Sequence, residues 1–94
     1  MDYEWDEEKR SVTLRERGLD FARAHKVFAG LNVQTEDDRH DYGEVRYITT
    51  GRYGRFVVII VWTPRGEARR RIISMRKCDA EERADYYAQV DRSG

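Results

Sequence analysis

The chain has 94 residues, with 18 Lys and Arg balancing 18 Asp and Glu, 38% charged residues and a mean hydropathy of −0.90. Such values border on those of disordered chains, but 39% hydrophobic and 12% aromatic residues, clustered in strand-like and helix-like segments, indicate one folded domain over residues 1–94 with a modest core. Cys78 is the single cysteine, which excludes an internal disulfide. With no apolar run near the roughly 20 residues of a membrane span and an acidic start unlike a signal peptide, the expected location is the reducing cytoplasm.

In chain order, Tyr3 and Trp5 alternate with Asp2 and Glu4 as a short first strand. Asp6 is the expected N-cap of a helix over residues 7–17, with Glu7 and Glu8 in its first turn and Gly18 as its terminator. A second helix is expected from Asp20, where Phe21, Ala24, Val27 and Phe28 recur at helical spacing before Gly30. Residues 31–35 read as a strand, 36–42 (EDDRHDY) as a polar loop, 44–50 as a strand and 51–55 (GRYGR) as a glycine-containing turn. Residues 56–63 (FVVIIVWT) are apolar on both alternating sets, which predicts a central strand covered on both faces. Pro64, Arg65 and Gly66 suggest the next turn and residues 68–76 (ARRRIISMR) a further strand. Asp79 with Glu82 forms a capping box for a last helix reaching about residue 89. The expectation is an α+β fold: an antiparallel sheet of three to five strands with two N-terminal helices and one C-terminal helix.

Charge is distributed unevenly. Residues 1–8 hold five acids and no base, residues 46–77 hold nine Lys and Arg against Glu67 alone, and residues 78–94 hold five acids against Arg83 and Arg92. A basic block of net +8 inside a neutral chain predicts local attraction of an anion, nucleic acid or an acidic protein. No zinc-type Cys/His spacing, phosphate-binding glycine loop or serine elbow is present. Glu36, Asp37, Asp38 and Asp41 lack the pattern of a calcium loop and read as a solvated acidic loop.

Three stretches carry a family resemblance. The opening WDEEKRSVTLRERGLDFARAHKVF has Trp-Asp, a Lys three residues on, and a basic-Gly-hydrophobic-x-Phe segment. The middle DRHDYGEVRYITTG has Asp-Arg, Tyr-Gly-Glu and Arg-Tyr, and WTPRGEARRRIISMRKCDAEERADYY has Thr-x-Arg, Arg-hydrophobic-Ile-Ser-x-Arg and Glu-Arg-x-x-Tyr. In order and spacing these resemble the BrnT ribonuclease toxins, with Thr13 where that family usually has Asn and Arg17 where it has His. The resemblance implies a RelE-like fold, metal-independent endoribonuclease activity that inhibits translation, and no metal or cofactor. It also implies neutralisation by a BrnA-type ribbon-helix-helix antitoxin. A pair of toxins with a pair of antitoxins is expected, touching DNA only through the antitoxin and no membrane.

RNA cleavage without metal uses the substrate's 2′-hydroxyl as nucleophile, so the protein must hold it in line with the phosphate and stabilise developing charge. Arginine suits the second task because its fork matches two phosphate oxygens and stays ionised. Arg76 is the leading catalytic candidate, ending a strand on the face expected to carry Ser74 and Ile72. Arg65 in the turn after the central strand is a second, against ordinary turn polarity. Arg83 and Tyr87 share a face of the last helix; Tyr87 either meets RNA or packs on the sheet with Ala80 and Ala84, and Glu82 or Asp79 pairs with Arg83. Arg46, Arg69 and Arg71 are expected to bind RNA, with Arg70 on the opposite face. His40 in the polar loop is either a general acid–base group or RNA contact, or simply solvated, and His25 a surface or packing residue. A non-catalytic module using the basic sheet to bind nucleic acid or an acidic partner is the alternative function.

Overall fold

The computed structural model describes residues 1–93. Strand β1 (Asp2–Trp5) leads into helix α1 (Glu7–Arg17); one 3-10 turn (Phe21–Arg23) and a short α2 (Ala24–Ala29) follow. Strands β2 (Asn32–Glu36), β3 (Tyr47–Tyr53), β4 (Phe56–Arg65) and β5 (Arg69–Lys77) precede helix α3 (Ala80–Ser93).

The α1 boundaries follow from its caps. Asp6 Oδ1 accepts from the Glu8 and Lys9 amides at 2.9 and 3.1 Å, and Gly18 closes the helix in the left-handed region at φ 69°. No residue of α1 is fully buried, so polar ties hold it in place. Arg10 makes a forked pair with Asp20 at 2.7 and 3.2 Å, and Arg17 donates to the Met75 carbonyl at 2.8 Å beyond the end of β1.

The strands form a five-stranded sheet in the order β1-β5-β4-β3-β2, so β4 is central. The sheet is mixed, which corrects the antiparallel expectation: β1 pairs parallel with β5, while the other ladders are antiparallel. The reason is topological. The chain leaves β1 for the helical segment, re-enters the sheet at the far edge as β2 and returns through β3, β4 and β5, each antiparallel to the strand before, so β5 lies alongside β1 running in the same direction. Helix placement also differs from the expected two N-terminal helices and one C-terminal helix: the second N-terminal element is a 3-10 turn with a six-residue helix, and it packs on the face opposite α3. The 3-10 turn and α2 bury Phe21, Ala24 and Val27 against Val58, Ile60, Trp62, Ile72 and Met75 on one face. On the other face, α3 packs Tyr86 and Val90 on Val33, Val57, Ile59 and Cys78. The residues of β4 thus face two cores, as their apolar run predicts.

Several boundaries move from their expected places. The helix expected from Asp20 starts as a 3-10 turn, with Asp20 capping the Ala22 amide at 2.9 Å. Residues 44–46 are held in a loop, so β3 begins at Tyr47 and takes in Gly51, leaving Gly54, at φ 59°, for the turn. A Cβ on Gly51 would stand 2.9 Å from Val27 Cγ1, so this glycine lets the strand pass under α2. Pro64 and Arg65 end β4 rather than form the turn, which falls at Gly66, at φ 68°. The last helix runs past residue 89, as far as Ser93.

Candidate nucleic-acid interface

Three of the five basic residues of β5, Arg69, Arg71 and Arg76, meet on one face because of a bulge. Val61 pairs with Ser74 and Trp62 with Ile72, leaving Ile73 without a partner across the ladder. Directly opposed residues share a face. Ser74 and Arg76 therefore lie with Val61 and Ile59 on the α3 face, whereas Ile72 turns into the opposite core. The expected grouping of Ile72 with Ser74 and Arg76 is corrected accordingly. Beyond the bulge the alternation is inverted, so Arg71 opposite Thr63 and Arg69 opposite Arg65 also reach the α3 face. Without the extra residue, Arg76 would share a face with Arg70 and oppose Arg69 and Arg71. Bulges re-aim side chains in this manner beside functional sites. Arg70 indeed takes the other face, its guanidinium 4.1 Å from the Phe28 ring and its Nη1 donating to Tyr3 Oη at 2.9 Å.

The α3 face is a valley. Helix α3 covers one end, over Val57 and Ile59. At the other end the loop over residues 37–46 folds across Thr63, whose hydroxyl donates to the Val45 carbonyl at 2.6 Å. Half-buried Ile48, Thr50, Val61 and Ser74 lie between. Beside α3 the floor dips into a hollow of about 220 Å³, with Ile48, Ile59, Glu82 and Asp85 in its lining. A larger groove of about 530 Å³ runs between α1 and β5, bounded by Lys9, Thr13, Arg17, Ile73 and Ser74 among others.

The far wall is built on a buried acid. Asp37, expected as part of a solvated loop, is buried and accepts from Arg39 Nε and Nη2 at 2.7 and 2.8 Å and from Tyr42 Oη at 3.1 Å. The Arg39 guanidinium holds its carboxyl well below the ordinary carboxylate range. Tyr42 in turn stacks under Arg46, 4.0 Å from the ring centre, and meets His40 edge-on at 5.7 Å between centroids. Glu44 accepts from Arg46 at 3.1 Å and from Arg65 at 3.2 Å, and Arg46 above all lowers its pKa. Arg46 and His40 of the loop and Arg65, distant from them in sequence, are thus brought to one wall.

Arg76 stands at the opposite end, roughly 20 Å from Arg65 by the six-residue separation along β4. Its fork lies against Glu82: Nη1 to Oε1 at 2.8 Å and Nη2 to Oε2 at 2.7 Å. Glu82 therefore pairs with Arg76 rather than with Arg83. Arg83 lies on another side of α3, lining a shallow hollow with Arg55, Phe56 and Lys77. Tyr87, 39% exposed, rests edge-on against Tyr86. Neither shares the α3 side formed by Glu82, Asp85, Tyr86 and Gln89 that flanks the valley. The tyrosine that packs on the sheet is Tyr86, 3% exposed, with its hydroxyl donating to the Leu31 carbonyl at 2.8 Å. It, not Tyr87, completes the Glu-Arg-x-x-Tyr signature: counting from Glu82 identifies it, and a helical wheel places it on the apolar side with Val90. His25 is exposed and bonds through Nδ1 to the Ala22 carbonyl at 3.0 Å.

The local charge is smaller than the sequence block suggests. Glu4 pairs with Arg71 at 2.7 Å and Arg69 at 3.7 Å, Glu44 with Arg46 and Arg65, and Glu82 with Arg76. Three glutamates from outside the block thus fold back on five of its arginines. What remains is a modest positive excess carried by aimed, partly neutralised guanidinium groups. Among the described residues no three His, Cys, Asp or Glu side chains gather as a metal site requires, and no helix is long and apolar enough to cross a membrane.

Comparison with known proteins matches this arrangement to a family. No curated protein matches the chain. The 1.1 Å crystal structure of the Brucella abortus ribonuclease toxin, BrnT, superposes with a TM-score of 0.64 at 26% identity, covering 84% of this chain and 97% of that one. The sequence profile described as "Ribonuclease toxin, BrnT, of type II toxin-antitoxin system" matches residues 5–82, which include the bulged strand and two of the three glutamates, Glu44 and Glu82. The chain belongs to the BrnT family of ribonuclease toxins from type II toxin–antitoxin systems.

Proposed function

We propose that the chain is a RelE-like, metal-independent endoribonuclease that binds single-stranded RNA along the α3 face of its sheet and arrests translation by cutting it. The observation that carries this reading is the bulge at Ile73, which collects Arg69, Arg71, Ser74 and Arg76 on one valley floor. Arg76 stabilises the phosphoryl oxygens as the 2′-hydroxyl attacks. Arg71, Arg69, Arg65 and Arg46 bind the strand toward the loop wall, over a span suited to several nucleotides, and His40 lies at the rim of that wall. Arg83, behind α3, adds at most to the electrostatic field, and Tyr87 beside it lies off the path of the strand.

The chemistry needs no activated water, so products should end in 2′,3′-cyclic phosphate. Purified protein incubated with RNA, with and without EDTA, tests the reading: cutting is expected in both conditions. Loss of cutting in EDTA with recovery in magnesium, or products with 3′-hydroxyl ends, would refute metal-free transesterification. Tight RNA binding without any cutting would favour a binding module instead.

As a type II toxin it has an antitoxin. We assign that partner as a BrnA-type ribbon-helix-helix protein, two copies joining two toxins in the cytoplasm and binding DNA on behalf of the complex. Light scattering on the co-expressed pair measures the stoichiometry, and a mass other than that of two toxins with two antitoxins would count against it.

A further inference from the structure

The half-exposed pair between Arg76 and Glu82 is tied into the cap of α3. Glu82 Oε1 accepts from Arg76 Nη1 at 2.8 Å and also from the Asp79 amide at 2.9 Å, while Asp79 Oδ1 accepts from the Glu82 amide at 2.8 Å. Glu82 is therefore fixed by the first turn of α3 before it meets the arginine. Both Arg76 Nη atoms are engaged, with a further contact from Nη1 to the Lys77 carbonyl at 3.3 Å. Nε has no such partner among the described residues. Helix α3 is itself tied to the residue that leads into β2 through Tyr86 and the Leu31 carbonyl, and packs on the sheet through Tyr86 and Val90. The guanidinium thus stands in one orientation on a rigid support, with its charge already half-answered.

We infer that Glu82 is a positioning residue for Arg76: it aims the guanidinium at the reacting phosphate and, by neutralising part of its charge, weakens ground-state RNA binding while favouring turnover. This rests on the ribonuclease reading with Arg76 at the phosphate. Glu82 is not itself the general base. Arg76 and the Asp79 amide depress its pKa to about 2, leaving a carboxylate too weak to take a proton at neutral pH. An arginine freed from Glu82 would bind phosphate with its full charge but in many orientations, and only the aimed one serves the transition state.

The test measures RNA affinity, its salt dependence and single-turnover cleavage for wild type, E82Q, E82D, R76A and R76A/E82Q, with circular dichroism to confirm folding. Gln keeps the size and the acceptor for the Asp79 amide but loses the charge. E82Q is expected to bind RNA several-fold more tightly, with a log–log salt slope steeper by up to about one, and to cleave at least ten-fold more slowly. E82D, which keeps the charge, should bind as wild type does and cleave at an intermediate rate. On the R76A background E82Q should still tighten binding, because it removes a bare carboxylate beside a polyanion, but it should leave the residual cleavage rate unchanged, because its effect on the rate passes through Arg76. A merely structural glutamate would lose affinity and rate together and do so equally without Arg76; either result overturns the proposal, as does an E82Q protein that binds and cuts like wild type. If R76A itself cuts at the wild-type rate, the assignment of Arg76 falls and the inference falls with it, whereas an inactive R76A with an unaltered E82Q refutes the role of Glu82 alone.

Discussion

Two adjacent tyrosines make a sharp test of how α3 is held. Tyr86 is buried among Val57, Ile59, Cys78 and Val90 and donates to the Leu31 carbonyl at 2.8 Å, whereas Tyr87 is 39% exposed. Tyr86→Phe removes one net hydrogen bond, about 0.5–1.5 kcal/mol. The carbonyl belongs to a residue 70% exposed, where water can replace the hydroxyl, so the lower half of that range applies. Tyr86→Ala also empties a well-packed aromatic site, at about 3–5 kcal/mol, a large part of the roughly 5–15 kcal/mol that holds a small domain together. Tyr87→Ala should stay within about 0.5 kcal/mol. At about 4–8 °C per kcal/mol for a chain of this size, thermal melting should separate the three variants. The drop should be a few degrees for Tyr86→Phe, well over ten for Tyr86→Ala and almost none for Tyr87→Ala. Below their melting ranges Tyr87→Ala should cut RNA normally, while Tyr86→Ala should lose activity as α3, and Glu82 with it, loosens. A Tyr87→Ala protein that melts as early as Tyr86→Ala, or that is folded but inactive, would refute this account of the helix.

Gly51→Ala should cost about 1–3 kcal/mol by overpacking, because the new methyl meets Val27 Cγ1 at 2.9 Å and Val27 is fully buried; adding Val27→Ala should recover part of the loss in urea denaturation. Acid should destabilise the fold through Glu82: its folded pKa of about 2 lies below the ordinary 4.5, so its contribution is complete above about 4.5 and disappears as pH falls toward 2. Glu82→Gln should flatten the acid limb of the stability curve. Burial raises the Cys78 thiol to about 11, so iodoacetamide at pH 8 should label the native protein far more slowly than the urea-unfolded chain.

Local chemistry made much of the fold legible. The Asp6 and Asp79 caps, Gly18, and the doubly apolar run of β4 each carry their own structural reason within a few residues. Three features depended on contacts distant in sequence. The parallel pairing of β1 with β5 joins residues nearly 70 positions apart, Asp2 with Arg69 for one, and no periodicity in four residues specifies a direction. The bulge at Ile73 leaves no mark in ARRRIISMR, so strict alternation put Arg76 with Ile72 and apart from Arg71. Glu36, Asp37, Asp38 and Asp41 read as a solvated acidic loop, yet one of them, Asp37, is buried and paired with Arg39 two residues on. For the site, composition identified the arginines but not their partners: Glu4, Glu44 and Glu82 all lie outside the basic block that they neutralise.

Those partners change what should silence the toxin. A bare basic sheet would require an acidic cover and would draw it from afar, giving fast association and a steep loss of affinity with salt. Here the five arginines of the valley already share three carboxylates, so the long-range field is weak and the guanidinium groups are already oriented. An inhibitor of this face gains more by fitting the valley between α3 and the 37–46 loop, with its half-buried Ile48 and Val61, than by adding charge. If the antitoxin covers this face, its affinity should therefore fall only modestly between 50 and 200 mM salt, whereas a contact resting on many newly formed charge pairs would weaken steeply over that range. Substituting Ile48→Asp should weaken the complex more than Arg69→Glu, because the first buries an unpaired charge while the second leaves Glu4 its closer partner, Arg71. Titration calorimetry of the two variants at several salt concentrations decides the point: a steep salt dependence with Arg69→Glu the more damaging would restore plain charge neutralisation as the basis of inhibition, and indifference to both would place the antitoxin on another surface.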